Sequence, residues 1–246
     1  MTLRSTIATP AGKQRFVRGL FATIAERYDF ITRFLSYGQD QRWKRLAIRH
    51  ADVTAADRVL DLACGTGDLL FMAAGRARSA VGLDVTHRML QLARLRPEAA
   101  GVSGTNRPSS AGRLVTGDML ALPFGASSFE VVTTGYGLRN VPDLRQAIVE
   151  IHRVLVPGGR LVSLDFNRPR NAIVRGAYLV YLTVVGSALG LTLHGDPDTY
   201  RYIPESIRNY PGAEGVALLL ESSGFGQVRV IGLLGGLMAI HVAKKN

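Results

Sequence analysis

The chain has 246 residues, and its 47% hydrophobic content is an ordinary globular composition with enough apolar material for a sizeable core. Its 30 Lys and Arg against 19 Asp and Glu give a net charge of +11, which bears on association and not on fold. The single cysteine, Cys64, excludes an internal disulfide and any multi-cysteine metal site, which fits a reducing compartment, and no apolar run of the kind a secretory signal needs precedes Phe16.

In chain order, the first fifty residues hold ten Lys or Arg and only three acids (Glu26, Asp29, Asp40). A basic end of this kind attracts nucleic acid or an anionic membrane, or is simply a solvated helical face. Residues from about 13 to 50 are expected to form a helical cap on the rest of the domain.

Next comes a nucleotide cradle. The apolar run Val59-Leu60-Asp61-Leu62 leads into Ala63-Cys64-Gly65-Thr66-Gly67-Asp68, where Gly65 and Gly67 let backbone pass close to a ligand. A second apolar strand ends at Asp84, 19 positions after Gly65, about where a doubly wound sheet presents an acid to a ribose diol. A dinucleotide fingerprint needs a third glycine where this chain has Leu70, and Asp68 would repel a phosphate. Asp61 and Asp68 instead suit a ligand with a cationic centre and an ammonium group, as in S-adenosylmethionine. A strand, a turn and a helix capped by aspartate is the plainer reading of the same residues.

Beyond the cradle, apolar runs and helical patterns alternate. Strands are predicted at 57–62, 79–84, 113–117, 129–134 and 160–166, with helices near 67–75, 86–96 and 143–155. Residues 97–112, rich in Pro, Gly, Ser, Asn and Thr, read as a mobile surface loop. Val156-Pro157-Gly158-Gly159 reads as a helix stop and turn before the fifth strand. Val228–Leu233 and Leu237–Ala243, joined through Gly235-Gly236, read as a closing hairpin. The expected fold is α/β: one domain with a doubly wound, Rossmann-like, seven-stranded and mostly parallel sheet ending in an antiparallel hairpin.

An apolar helical insertion is expected at about 171–210. Its eighteen residues from Gly176 to Leu193 carry no charge, just enough to reach the roughly 17–25 of a membrane span. Spanning would separate strands that must pair. The insertion is therefore expected to line a groove for a lipophilic tail and touch the membrane interface, with an ordinary buried helix as the alternative.

Several segments resemble one family. These are Phe21-x-x-Ile24-Ala25-x-x-Tyr28-Asp29, the cradle, Gly117-Asp118-Met119-Leu120-Ala121-Leu122-Pro123-Phe124, the block from Gly135 to Asp143 (GYGLRNVPD), the block from Glu150 to Gly159 (EIHRVLVPGG), Tyr200-Arg201-Tyr202-Ile203-Pro204-Glu205-Ser206-Ile207, and Ala239-Ile240-His241. They are similar to the ubiquinone/menaquinone biosynthesis C-methyltransferases, within the class I S-adenosylmethionine-dependent methyltransferases. The resemblance runs from about residue 13 to the C-terminus. It implies S-adenosylmethionine as cofactor and a polyprenylated demethyl-quinol, demethylmenaquinol or 2-methoxy-6-polyprenyl-1,4-benzoquinol, as the carbon acceptor. It also implies that Thr66, Asp84, Asp118 and Met119 bind the cofactor, with Asp118 at the adenine amine and Asp84 at the ribose. Three departures stand out: Gly135 where some members have a cofactor-contacting serine, Thr32 for asparagine, and Asp165 for glutamate.

The chemistry can also be argued from the reaction. Alkylating a ring carbon needs an electron-rich ring, hence the reduced quinol with an ionised hydroxyl, and an enzyme that aligns that carbon and favours the ionisation. Arg139 and Asn140 follow the fourth strand at the carboxyl edge of the sheet, where ligands of open α/β folds bind. Arg139 is expected to stabilise the phenolate and Asn140 to orient it; the alternative is a structural clasp between Arg139 and Asp143. Asp165 and Tyr200 are candidates to take or relay a proton, and Tyr28 to close the N-terminal helix over the cofactor. Tyr28, Asp61, Gly65, Thr66, Gly67, Asp84, Asp118, Met119 and Gly135 form the expected cofactor site, while His194 stays unassigned and His241 reads as packing. No histidine or carboxylate spacing suggests a metal.

The reading is a cytoplasmic methyltransferase held peripherally at an anionic membrane surface, with a lipophilic quinol substrate and no nucleic-acid partner, since the segment after strand four lacks an N/D-P-P-Y motif. The oligomeric state is left open, a homodimer included. A same-fold enzyme acting on another phenolic or lipophilic metabolite, and a non-catalytic cofactor-binding interaction protein, remain as alternatives.

Overall fold

A computed structural model describes residues 3–100 and 112–246. Four helices come first: α1 (Leu3–Ile7), α2 (Pro10–Ile24), α3 (Tyr28–Leu35) and α4 (Asp40–Ala51). The start of α2 is set locally, because Thr9 accepts the Gly12 amide at 3.2 Å and Pro10 has no amide of its own to satisfy.

The sheet is built from β1 (Arg58–Leu62), β2 (Ser79–Asp84), β3 (Arg113–Thr116), β4 (Phe129–Gly135), β5 (Leu155–Phe166), β6 (Phe225–Leu233) and β7 (Met238–Lys245). Its order is β3-β2-β1-β4-β5-β7-β6; β1 to β5 pair in parallel, and β7 runs antiparallel to both β5 and β6. The crossover helices are α5 (Asp68–Ala74), α6 (His87–Arg94) and α7 (Leu144–Val154), followed by α8 (Ala172–His194), α9 (Tyr202–Asn209) and α10 (Gly212–Ser222). Alternation along β1 divides the core. Leu60 and Leu62 pack with Ile148 and Ile151 of α7 and Val216 and Leu220 of α10, whereas Val59 packs with Trp43 and Ala47 of α4 and Leu70 of α5.

All seven predicted strands are present. The expected turn at Val156–Gly159 is absorbed into β5: Leu155 already pairs with Phe129, the register then slips, and Arg160 pairs with Val131. The four residues between them form a bulge, with Gly158 at φ +75°. Of the loop expected at 97–112, Pro97–Ala100 is a short 3-10 helix and 101–111 lie outside the described residues.

The order of strands reverses between β1 and β4. There Leu62 aligns with Leu83 of β2 and Thr134 of β4, so the loops after these strands open into one crevice.

Candidate active site

The cradle turn has the backbone its sequence requires, with Gly65 at φ +55° and Gly67 at φ +92°. A side chain on Gly67 would run into the Phe71 ring, its Cβ 2.4 Å from the nearest ring atom. The missing third glycine is compensated across the interface. Leu70 is fully buried, and Gly82 of β2 makes room for it, since a Cβ there would lie 2.7 Å from a Leu70 methyl.

Asp68 is already paired within the chain. Its carboxylate pairs with Lys44 of α4 at 2.8 Å and Arg96 at 2.5 Å, and accepts Gln41 Nε2 at 2.7 Å. Burial works to raise this carboxyl, but Lys44 and Arg96 outweigh it and hold it down at about 2. The amino end of α5, the usual phosphate site of such cradles, is therefore filled by a carboxylate already neutralised by its own chain. The expectation that Asp68 meets an ammonium is corrected on this ground: two cations already hold it.

Asp61 has the freer carboxylate. It lies buried within β1, with Oδ1 accepting the Thr133 hydroxyl at 2.7 Å and Oδ2 lacking any hydrogen-bond partner. Burial pushes its carboxyl up to about 7, with the Thr133 bond opposing. A buried carboxylate oxygen without a hydrogen-bond partner among the described residues, beside the glycine turn in a small hollow also lined by Lys44, Gly65, Thr66, Asp68 and Tyr136, suits a cationic ammonium.

The neighbouring cleft is lined by Asp84, Asp118, Met119, Gly135 and Asn140, with Val17 and Phe21 of α2 across from them. Asp84 also ties the turn together, accepting the Gly65 amide at 2.8 Å through Oδ2 and the Thr86 amide at 2.7 Å through Oδ1. Asp118 accepts Gln14 Nε2 at 2.5 Å, and Lys13 Nζ donates to the carbonyls of Arg139 at 3.0 Å and Val141 at 2.6 Å. Burial, with Arg139 adding to it, lowers the Lys13 ammonium to about 8. These bonds hold α2 over a cleft of about 90 Å³ that is continuous with the spaces on either side of it. Neither Gln14 nor Lys13 was legible as a site residue, because nothing near them in sequence names their partners. The Thr66 hydroxyl donates to Asp29 at 2.7 Å, fastening the cradle to α3 and not pointing at the cleft.

A second cavity of about 510 Å³ adjoins this cleft and is almost wholly apolar, enclosed by α2, α3, α8, α9 and the start of β7. Phe21, Tyr28 and Tyr136 line both spaces; Asn140 faces the cleft and its neighbour Arg139 the cavity. Tyr28 thus stands at the junction, with burial pushing its hydroxyl up to about 12.

Arg139 is the buried cation of this cavity. Its partner is Asp165 and not Asp143: Nε lies 3.5 Å from Asp165 Oδ1, and the Arg139 amide donates to Oδ2 at 3.1 Å. Asp143 instead caps α7, accepting the Gln146 amide at 2.9 Å. The guanidinium is short of hydrogen bonds. Nη1 makes only long contacts, 3.5 Å to the Tyr136 carbonyl and 3.4 Å to Asn140 Oδ1, while Nε has no hydrogen-bond partner among the described residues. Phe166 lies under it, ring centroid 4.6 Å from Cζ. Asn140 is anchored through Nδ2 to the Tyr136 carbonyl at 2.7 Å.

Tyr200 lines the cavity, with its hydroxyl 2.8 Å from His194 Nε2 and pushed up to about 12 by burial. Tyr202, two residues on, has a buried hydroxyl without a partner and feels both Arg139 and Asp165. His241 is packing, as expected, with Nε2 2.8 Å from the Ala213 carbonyl. Thr32 lines the cavity, its hydroxyl donating to the Tyr28 carbonyl at 2.6 Å.

A buried polar chain went unseen in the sequence. Tyr136, at φ +60°, donates to Asp40 Oδ1 at 2.6 Å; Asp40 pairs with Lys44 at 2.7 Å, and Lys44 with Asp68. The four-residue spacing of Asp40 and Lys44 was its one sequence signal.

Residues 8–245 match the model of the ubiE/COQ5 methyltransferase family. The chain is 41% identical to the demethylmenaquinone methyltransferase of Thermus thermophilus, over 92% of this chain and 100% of that protein. It is 36% identical to the ubiquinone/menaquinone biosynthesis C-methyltransferase UbiE of Teredinibacter turnerae, over 96% and 93%. A solved SAM-dependent methyltransferase from Thermotoga maritima, described as a possible histamine N-methyltransferase, superposes with a TM-score of 0.62 at 16% identity, covering 94% of this chain and 100% of that one. A putative S-adenosyl-L-methionine-dependent methyltransferase from Methanococcus maripaludis also gives 0.62, at 19% identity over 92% and 93%.

Proposed function

The chain belongs to the ubiE/COQ5 methyltransferase family and is an S-adenosylmethionine-dependent methyltransferase, and we propose that it methylates a ring carbon of a polyprenylated demethyl-quinol in menaquinone or ubiquinone biosynthesis. The observation that carries the acceptor class is Arg139: a buried guanidinium with unmet donors, in the wall of an apolar cavity that adjoins the cofactor cleft.

Asp61, the Gly65–Gly67 turn, Asp84 and the Asp118–Met119 pair are the residues that would hold the cofactor. When bound, S-adenosylmethionine supplies an electrophilic methyl group. The acceptor must bring the electrons. Loss of a quinol hydroxyl proton pushes charge onto the neighbouring ring carbon, and Arg139 stabilises that oxyanion in surroundings where water screens little. Asp165 is a positioning residue that fixes the guanidinium, and Asn140 holds the loop on the cleft side. As the new C–C bond forms, the bond between the methyl group and its sulfur would break and leave a neutral thioether; the substituted carbon then gives up its proton to solvent, as the hydroxyl did before it, and the ring regains aromaticity.

The same reading holds the enzyme at a bilayer. Only Leu182, Gly186 and Gly190 of α8, four residues apart, are buried, and of its most apolar 18-residue stretch 17% is buried. The core-helix alternative is thereby set aside. Ile173 and Val180 of α8, 82% and 63% exposed, and the stacked Phe30 and Phe34 of α3 leave apolar surface, with the exposed Arg33 next to Phe34 in the chain. An apolar face fringed by cations suits the surface of an anionic membrane.

The test is an anaerobic assay with labelled cofactor and a panel of demethyl-naphthoquinols and demethyl-benzoquinols, with product read by mass spectrometry. Methylation of the reduced but not the oxidised ring is expected. Equal rates on the oxidised quinone, or no product from any quinol, would overturn the reading.

A further inference from the structure

The 510 Å³ cavity has room for a ring head and the first units of a prenyl tail, and a longer tail must leave it. One stretch of its wall consists of Tyr37, at the end of α3, and Tyr181, in the middle of α8. Their rings stack with centroids 5.9 Å and planes 22° apart. Beyond them an outer groove is lined by Arg33, Phe34, Gly38 and Val185, and the same two tyrosines form its inner wall. A ring pair therefore stands between the apolar cavity and an apolar groove on the α3–α8 face.

The backbone holds Tyr37 there against its own preference. Tyr37 sits at φ +51°, in the left-handed region where a helix usually ends on glycine, and Gly38 comes next at φ +75°. The Tyr37 amide donates to the Phe34 carbonyl at 3.1 Å and the Gly38 amide to the Arg33 carbonyl at 2.8 Å, so the helix end fixes the ring. A bulky aromatic in this conformation, 67% exposed yet stacked over an internal cavity, points to a functional constraint.

We propose that Tyr37 and Tyr181 form the doorway through which the acceptor's prenyl tail passes from the cavity into the α3–α8 groove, making this pair and Val185 the determinants of tail-length preference. The proposal rests on a quinol being the acceptor. With the head at Arg139, the tail passes between the two apolar ring faces once they part, which breaks the side-chain hydrogen bond between Tyr37 and Tyr181.

Binding can be read without cofactor or turnover, by calorimetric titration of the quinone into the protein in a fixed detergent. Dissociation constants are measured for one quinone nucleus bearing one isoprene unit or a long tail, in the wild type and in Val185→Trp, Tyr181→Trp and Tyr37→Gly. Overfilling the groove or the doorway with tryptophan is expected to weaken the long-tailed ligand relative to the short one by about tenfold. Tyr37→Gly removes one leaf of the doorway and relieves the left-handed backbone. Its melting temperature holds or rises while the ratio of the two constants still shifts against the long tail. An unchanged ratio in all three folded variants overturns the doorway while leaving the acceptor class intact. Failure of the wild type to bind either quinone overturns both.

Discussion

Arg139 and Asp165 hold each other twice, once through the Arg139 amide to Oδ2 at 3.1 Å and once through the guanidinium facing Oδ1 at 3.5 Å. The carboxylate thereby fixes both the backbone and the charge of the residue that faces the acceptor cavity. Arg139→Ala is expected to lower the methyl-transfer rate about 10²–10³-fold, as for loss of a preorganised oxyanion donor, with little change in cofactor affinity. Asp165→Asn should lower kcat more than it changes cofactor binding. Asp143→Asn, which keeps a good helix cap, should leave the rate alone. Steady-state kinetics beside thermal melts decide the matter: activity lost only in step with melting temperature would make Arg139 structural.

Asp61 predicts a pH dependence of cofactor binding. Burial raises its folded value to about 7, above an unfolded value of about 3.9. The stability it contributes is thus complete below about pH 4 and is lost as pH rises toward 7. An ammonium seated against Oδ2 favours the ionised form, so binding in that window releases a proton and affinity climbs with pH. Calorimetry at pH 6 in buffers of different ionisation enthalpy reads the released proton, and Asp61→Asn should abolish it. Release undiminished in the variant would remove Asp61 from the site.

Lys44 sits between two buried carboxylates, 2.7 Å from Asp40 and 2.8 Å from Asp68. Burial alone would lower its ammonium, but Asp40, Tyr28 and Asp68 more than offset this and raise it. Lys44→Met leaves Asp40 without its cation, while Asp68 keeps Arg96, and should cost about 3–5 kcal/mol in urea unfolding, the usual penalty for breaking one side of a buried pair. A loss under about 1 kcal/mol, the scale of an exposed ion pair, would show that water reaches the network.

The α3–α8 face predicts lipid binding. The protein should sediment with anionic vesicles and not with zwitterionic ones, increasingly released as salt screens the attraction. Phe34→Ser with Val180→Ser should weaken sedimentation while short-tailed acceptors are still methylated. Vesicle binding unaffected by these changes would place the contact elsewhere.

The cradle, the strand pattern, the N-terminal helices and the closing hairpin were legible in the sequence because each is fixed locally. Glycines at 65 and 67 set the turn, and apolar runs set buried strands. Four residues of context suffice for the Thr9, Asp143 and Asn171 caps. The places of Asp61 and Asp84 on β1 and β2 were legible for the same reason, since the apolar runs that carry them set the strands.

Charge partners and exposure were decided only by tertiary structure. Asp68 reads as a ligand-facing acid until α4 delivers Lys44 and the chain beyond α6 delivers Arg96. Arg139 has an acid four positions away in Asp143, yet pairs with Asp165 because β4 and β5 lie side by side and the loop after one meets the end of the other. The same holds for α8: its sequence is equally apolar whether buried, lining a cavity or facing lipid, and only the packing of Leu182, Gly186 and Gly190 leaves its other sides uncovered. Local sequence sets backbone conformation through short-range sterics and hydrogen bonds. Which charges meet, and which apolar surface stays open, depends on elements far apart in the chain, and that is settled when the sheet closes.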